Sequence, residues 1–482
     1  MQANKSYTEK QELLRLFAFV LALYVLLVAG FRFLAGEQLL YRVSRGSIEA
    51  GETTGTLIEL CEGCVVEQSF PCSVERLEEV GVRVGGFYRA NAGTLIAELC
   101  RESDGAVLLS GRFDVSEIAD SELLALRAEA PIPNMLGQTL ILRLTADSEP
   151  GHGVAALCGA VTVSPSLLRV NGESADGALC FSLGGTDVIW TGLHYTTLAF
   201  LGGILLTLLL VIEWLCWRKR GRCFLLSAAQ TLEHYRFLIR QLVLRDFKVR
   251  YKRSVLGVFW SVLNPLLMML VQYVVFSSLF RSNIPYFAAY LLIGVVMFNF
   301  FSEATGLTLM SVINNAPLIT KVAVPKIVYP LVRTLSSLIN LVLSLIPLTV
   351  VCLLTGLRLH KAALLALFFF LCLVLFTLGL GILLSASMVF FRDTQFLWGV
   401  LSMMWTYLTP IFYPETIIPA PYRSLFAFNP LYHFIKNARL CLIGGISPEP
   451  VEYLRCLLIA LAMLLFGIWV FRRHEDEYVL YL

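Results

Sequence analysis

The stretch Leu244-Arg245-Asp246-Phe247-Lys248-Val249-Arg250-Tyr251-Lys252-Arg253 runs directly into Ser254-Val255-Leu256-Gly257-Val258-Phe259-Trp260 and an apolar tract that ends at Phe280. A basic, amphipathic segment against a run of membrane-crossing length decides the fold class. Between Arg218 and Arg253 stand 11 Lys/Arg and two acids, Glu233 and Asp246. Lys and Arg translocate poorly, so this side of the run is expected to be cytoplasmic. The composition agrees: 57% of residues are hydrophobic, 15% are charged and the mean hydropathy is +0.73. A water-soluble chain has no interior large enough for that much apolar surface, and a polytopic α-helical membrane protein is predicted.

About 20 apolar residues are needed per crossing. Eight stretches qualify: 13–35 and 196–217, then 255–280, 286–307, 327–354, 362–390, 396–413 and 452–471. The first reads as a retained span. It is longer than a signal core, lacks a small-x-small cleavage site before Glu37, and has Lys5, Lys10 and Arg15 to hold its start inside. Counting from a cytoplasmic N-terminus divides the chain into five parts. Residues 1–35 are the N-terminus and first span, 36–190 an inserted extracytoplasmic domain, and 191–217 the second span. Residues 218–253 form a cytoplasmic basic helix and 254–482 a six-span core, which leaves both termini inside. Charge follows this division. Residues 36–190 hold 22 acids, 10 Arg and no Lys, a net of −12, which leaves +15 for the rest. Only Arg358 and Lys361, in a short outer loop, go against it. The basic residues sit beside spans, which gives no support to a nucleic-acid partner.

The outer region reads as β-rich. Short, partly alternating runs at 81–87, 94–99, 106–110 and 139–145 are separated by turn signals such as Asn91-Ala92-Gly93 and Ser103-Asp104-Gly105. Regular spacing of this kind suggests a β-sandwich, and residues 88–145 resemble jelly-roll modules of bacterial cell-surface glycan proteins. Six cysteines lie here: Cys61, Cys64, Cys72, Cys100, Cys158 and Cys180. Up to three disulfides are the leading expectation for an oxidising compartment, with free thiols or a metal as the other readings. A zinc set would need more ligands than His152 supplies.

Three further segments follow in order in the second half: Phe390-Phe391-Arg392-Asp393-Thr394, Thr409-Pro410-Ile411-Phe412-Tyr413-Pro414 and Asn429-Pro430-Leu431-Tyr432-His433-Phe434. With the basic segment they resemble the permease subunit of ABC-2 type exporters, in the branch that exports lipid-linked polysaccharides such as O antigen, capsule or teichoic acid. The likeness covers roughly 231–482. It implies a homodimer in the bacterial plasma membrane, two copies of an ABC ATPase subunit that carry the ATP and Mg, and a polyprenyl-linked polysaccharide as cargo. Rival readings are an ABC-2 exporter of a drug, peptide or simple lipid, and a membrane glycosyltransferase or sensor without an ATPase. No Gly-x-x-x-x-Gly-Lys-Ser/Thr loop, Gly-x-Ser-x-Gly elbow or clustered metal ligands occur in the sequence. The chain is therefore expected to be a conduit and no enzyme, with no cofactor or metal of its own.

Particular residues carry these expectations. Leu232, Tyr235, Leu238, Ile239, Leu242 and Val243 share one helical face, so this helix is expected to lie in the membrane interface with that face in the acyl boundary. It reads as a plain surface anchor or, on the resemblance, as ATPase-facing through Arg245, Asp246, Lys248, Arg250 and Arg253. Pro317 and Pro325 bracket Leu318 and Lys321 in a loop fit for a short projecting helix. The resemblance makes it the element that couples to the ATPase. Arg392 and Asp393 are expected to cap the next helix or to touch the ATPase. Glu303 and Arg333, charges inside spans, are expected to pair. Phe259, Trp260, Trp405 and Tyr407 are the candidate lining of a glycan pathway. Asn264-Pro265 is expected to kink its span, and the prolines from 410 to 450 to break the chain into short re-entrant helices.

Overall fold

A computed structural model describes residues 2–48, 57–86, 89–118, 122–159, 167–220, 224–252, 256–280, 286–321, 324–358, 360–418, 422 and 426–481. They form two compact units, one of residues 40–193 and one of 1–39 with 194–482.

The first unit is sheet-rich. Its strands are β1 (Tyr41–Ile48), β2 (Leu57–Glu59), β3 (Val65–Pro71), β4 (Arg76–Gly85), β5 (Thr94–Arg101), β6 (Val107–Asp114), β7 (Glu122–Ile132), β8 (Thr139–Ala146), β9 (Ala155–Gly159), β10 (Leu167–Val170), β11 (Glu173–Ala175), β12 (Ala178–Leu179) and β13 (Phe181–Val188), with a helical turn α2 (Trp190–Leu193) after them. One sheet has the order β1-β13-β4-β9-β12, with β2 added on β9 and β7 on β4. The other has the order β11-β10-β3-β8-β5-β6. Period-two alternation makes the core. Val66 and Phe70 of β3, Leu140, Leu142 and Leu144 of β8, and Leu95, Ala97 and Leu99 of β5 all turn inward. They share one apolar cluster with Val80, Val82 and Val84 of β4 and with Phe181 and Leu183 of β13. Phe70 and Phe181 meet across it at 4.4 Å between ring centroids. The four runs expected to be strands fall in β4, β5, β6 and β8.

The second unit is helical: α1 (Gln2–Ala35), α3 (Tyr195–Arg220), α4 (Phe224–His234), α5 (Arg236–Tyr251), α6 (Phe259–Phe280), α7 (Phe287–Leu309), α8 (Ala316–Ile319), α9 (Val328–Leu354), α10 (Ala366–Phe390), α11 (Thr394–Leu408), α12 (Pro430–Leu442), α13 (Pro450–Arg473) and α14 (Tyr478–Tyr481). Seven described helices are long and apolar enough to cross a membrane: α1, α3, α6, α7, α9, the helical run ending in α10, and α13. The eighth expected span, 396–413, is not one of these seven helices. Its helix is α11, 15 residues long, about 22 Å at 1.5 Å per residue against a hydrocarbon core of ~30 Å. Thr409-Pro410 ends it, because the residue before a proline is driven to extended backbone; Thr409 has φ −107° and ψ 125°.

α7 and α10 form the centre, buried along most of their length. Glycine lets α10 meet α13. A Cβ on Gly379 would lie 2.5 Å from the backbone of Leu464, and one on Gly467 would lie 2.1 Å from the carbonyl of Gly379. Small residues of this kind bring membrane helices into close contact. α1 and α3 are joined by Tyr24 Oη donating to the Ala199 carbonyl (2.6 Å) and Tyr195 Oη to that of Val28 (2.8 Å). The end of α1 is tied to the core by Gln38, whose Oε1 accepts from Ser447 N (2.9 Å) and whose Nε2 donates to the Gly445 carbonyl (3.1 Å).

The single amphipathic helix expected before the core is two helices, α4 and α5, broken at Tyr235 (φ −96°, ψ 8°). Its apolar face is real but has a protein partner. Ile239 and Leu242 pack on Val328 and Val332 of α9, with Tyr235, Leu238 and Val243 alongside. Leu232, at the start of the same face, stays exposed.

Candidate functional site

α5 carries opposite charges one turn apart, and both are used. Asp246 accepts from Arg333 Nη1 of α9 at 2.7 Å and from Arg245 Nη2 at 3.2 Å. Glu303 Oε1 on α7 accepts from Arg250, from Asn340 Nδ2 at 2.8 Å and from Ser337 Oγ at 3.3 Å. The expected Glu303–Arg333 pair is therefore not formed. Residues 246 and 250 lie on one face of α5, and each offers the charge its neighbour on α7 or α9 needs, so α5 takes both partners. Lys248 is exposed, and Arg253 lies outside the described residues. Arg333 and Asp246 are well shielded, with side chains 22% and 10% exposed. Breaking such a pair from one side approaches the ~3–5 kcal/mol of a buried pair. Asp246→Arg should thus lower the yield of monodisperse protein in detergent, and Asp246→Arg with Arg333→Asp should restore much of it. Equal loss in single and double variants would mean that the pair contributes nothing.

The proline-bracketed loop does hold a short helix. A 3-10 turn at Ile313–Asn315 leads into α8, with Pro317 in its first turn, where a missing N–H costs nothing. Pro317, Thr320 and Lys321 are exposed, and Leu318 and Pro325 half-buried. The chain's end fixes this loop. Lys326 N donates to Glu475 Oε1 at 3.0 Å, and Lys326 Nζ donates to the Glu475 carbonyl. Tyr478 is fully buried, and its hydroxyl donates to the Phe471 carbonyl at 3.1 Å. It shares a cluster with Ile319 of α8, Val312, Tyr329, Ile382 and Val389. Burial holds the Tyr478 phenol well above its usual range. The sequence reading placed this tail inside and gave it no contact. The signal was there: five hydrophobic residues, Tyr478-Val479-Leu480-Tyr481-Leu482, follow the acidic run Glu475-Asp476-Glu477.

Beside the Arg250–Glu303 contact lies a cleft of about 280 Å³ between α6, α7 and α9. Pro265 lies inside α6 and cannot donate to the carbonyl four residues back. That carbonyl, on Ser261, accepts from Ser344 Oγ of α9 at 3.3 Å. Phe259 and Trp260, proposed for a pathway, are 55% and 44% exposed, and Trp260 lines the cleft.

At the far end of the same helices the broken backbone after α11 is held by two side chains. Asn429 caps α12: its Oδ1 accepts from Leu431 N at 3.1 Å and from Trp405 Nε1 at 2.8 Å. Its Nδ2 donates to the Leu408 carbonyl at 3.1 Å and to Thr409 Oγ1 at 2.9 Å. Arg439 of α12 is buried and spreads its fork over three carbonyls, those of Pro410 (2.7 Å), Ile411 (2.8 Å) and Tyr290 (3.2 Å). Its guanidinium carbon stands 3.4 Å from the centroid of the Tyr290 ring. Trp405 lies among Phe301, Phe376 and Trp398, so in this chain it holds packing together. Tyr407 is 62% exposed.

Comparison with known proteins adds the decisive observation. The family model described as ABC-2 type transporter matches residues 238–443. The O-antigen export system permease protein RfbA of Myxococcus xanthus is 32% identical over 260 residues, which cover 53% of this chain and 98% of that protein. This chain belongs to the ABC-2 transporter membrane family. The protein of the same name from Klebsiella pneumoniae is 32% identical over 212 residues, 42% of this chain and 78% of its own. The polysialic acid transport protein KpsM of Escherichia coli is 23% identical over 252 residues, 52% of this chain and 98% of its own.

Within this family member the matched region starts in α5 and ends just past α12. The ion-paired face of α5, the α8 loop, the cleft and the Arg439 fork all fall in it, whereas the sheet-rich unit does not. Arg392 and Asp393 are exposed at the start of α11. Asp393 stands at the N-cap position, but its carboxylate makes no cap hydrogen bond, so the capping expected of it is absent. The disulfides expected among Cys61, Cys64, Cys72, Cys100, Cys158 and Cys180 are not formed among the described residues. Cys72, Cys100, Cys158 and Cys180 are buried, and Cys72 and Cys158 belong to the apolar core of the sheets. Cysteine fills that kind of place as a small apolar side chain. Burial raises the Cys158 thiol to about 11, which leaves it an inert thiol at neutral pH. Among the described residues no group of three or more His, Cys, Asp or Glu is placed to hold a metal ion.

Proposed function

We propose that this chain is the membrane subunit of an ATP-driven exporter that moves a lipid-linked polysaccharide out of the bacterial cytoplasm. Two copies form the permease, and a separate ABC ATPase, also in two copies, binds ATP and Mg. Residues 254–482 act as a six-span core in which α11 and the extended segment after it complete the fifth crossing. α1 and α3 are two added spans that carry residues 36–190 outside the membrane as a β-sandwich, which binds emerging glycan or caps the exit. Both termini lie in the cytoplasm. The α8 loop with α5 faces the ATPase, and ATPase closure moves helices as bodies through it. The observation that carries the reading is similarity over nearly the whole length of an O-antigen export permease. The α8 loop, held by the Lys326–Glu475 contacts and the buried Tyr478, supports it, because a stiff loop passes on force.

The test is mild-detergent purification of the tagged chain from its native membrane, with co-purifying proteins and lipids identified together. A stoichiometric ATPase and a polyprenyl-linked glycan are expected. An ATPase with only drug-like or simple lipid cargo would keep the exporter and overturn the glycan. An intact preparation with neither would overturn the proposal.

A further inference from the structure

We propose that the cleft between α6, α7 and α9 is a binding site for one neutral sugar ring, a subsite that rests on the export reading above and gives it a specific contact. Each of the three helices presents a pair of residues four apart, and so on one face, to the same space. They are Trp260 and Asn264 on α6, Asn299 and Glu303 on α7, and Asn340 and Ser344 on α9. Three i,i+4 pairs of polar or amphipathic type converging inside a helical membrane unit are the opposite of what lipid packing selects, since intramembrane polar groups are costly.

The wall is already satisfied where it must be. The Pro265 gap is filled by Ser344, and Glu303 is matched by Arg250, Asn340 and Ser337. What is left over points to a ligand. Asn299 is the one exposed residue between Leu291 and Thr305 of α7, where only Ser302 and Glu303 are half-buried and the rest are buried, and Asn264 is exposed across the cleft. Among the described residues neither carboxamide has a hydrogen-bond partner. A carboxamide offers two donors and an acceptor, the same dual character as a hydroxyl group.

Charge narrows the chemistry. Glu303 and Arg250 cancel within the wall, so a phosphate meets the carboxylate and a free cation meets the guanidinium. A neutral polyol meets neither penalty. Trp260 supplies a flat apolar face for the C–H side of a ring, the usual partner of a few convergent polar groups in a ligand pocket. The space, about 280 Å³, equals roughly nine water volumes, enough for a single pyranose.

The purified full chain in lipid nanodiscs tests this by saturation-transfer NMR with methyl β-D-glucopyranoside and methyl N-acetyl-β-D-glucosaminide, and with inorganic pyrophosphate observed by phosphorus NMR as the charged probe. One of the glycosides is expected to bind and pyrophosphate not to compete with it. Asn264→Ala with Asn299→Ala removes two hydrogen-bonding groups and should weaken the glycoside about tenfold or more. Both sites are exposed, so these truncations leave the packing of the bundle alone. Asn299→Leu, which fills the cleft, should abolish the signal, with size-exclusion profiles confirming a folded chain. Unchanged glycoside binding in the folded variants would place it elsewhere and overturn the site. So would displacement by pyrophosphate, or no binding of either glycoside, which would mean a hydrated cleft only. The two readings fail separately. ATPase co-purification without glycoside binding removes the subsite and keeps the exporter, and glycoside binding lost in the variants without an ATPase does the reverse.

Discussion

Arg439→Met is expected to destabilise the helical unit more than any other single substitution in it. The wild-type guanidinium is buried and has no carboxylate partner at ion-pair distance among the described residues; what holds it is backbone. Three carbonyls, of Tyr290, Pro410 and Ile411, accept from it, and the Tyr290 ring covers it. Those of Pro410 and Ile411 lie where proline has ended α11 and no helix supplies donors. Methionine fits the volume but donates nothing. Each orphaned carbonyl then costs ~1–3 kcal/mol, so the two that no helix serves cost a large part of a typical domain's ~5–15 kcal/mol. Lysine should rescue little, because a point charge cannot span three acceptors as a planar fork does. Gly294→Ala tests the same contact from α7, since its Cβ would lie 2.7 Å from Arg439 Nη2 and 3.0 Å from Ile411 Cγ2. Thermal unfolding in detergent, followed by size exclusion, reads both. A methionine variant as stable as the wild type would show that the fork contributes nothing.

The comparison of sequence with structure turns on which contacts are local. Spans were legible because ~20 apolar residues in a row have one comfortable place, and strands β4, β5, β6 and β8 because alternation marks a half-buried sheet. The α8 loop was legible because two prolines bound it. Pairing across helices was not. Glu303 and Arg333 are the obvious couple when only α7 and α9 are considered, and nothing in the sequence says that α5 will lie against both. The apolar face of α5 was legible and its contact with α9 was not, for the same reason: periodicity shows that a face is buried, not against what. Trp405 illustrates the limit of composition. Its ring was expected to line a pathway, and nothing in the sequence says that Asn429 stands at its indole nitrogen. Arg439 left a faint signal, one guanidinium in an apolar helix after a proline-rich break, where irregular backbone at membrane depth needs donors.

Deleting residues 474–482 should leave a membrane-inserted chain that couples poorly. The seven long apolar helices have the length and composition to insert without the tail. The α8 loop does need it. Truncation removes the Glu475 contacts to Lys326 and uncovers Ile319, Tyr329 and Val389, which pack in a cluster with Tyr478. Burial of one aromatic side chain is worth about 1.5–3 kcal/mol, which is comparable to the stability of a short loop by itself. Hydrogen exchange across 313–327 should therefore accelerate about tenfold or more, a result independent of any transport reading. Under that reading, a loop that yields locally absorbs the motion of the ATPase and does not pass it to α7 and α9. Glycan exported per ATP hydrolysed in proteoliposomes should then fall while hydrolysis continues. Tyr478→Phe removes only the bond to the Phe471 carbonyl and should keep most coupling, whereas Tyr478→Ala should behave like the truncation. If exchange in 313–327 is unchanged without the tail, the loop is held by its own helix ends and the strut does not exist. If exchange rises and export per ATP does not fall, the strut exists, and force reaches the bundle by another route, with α5 and its two ion pairs the next element to cut.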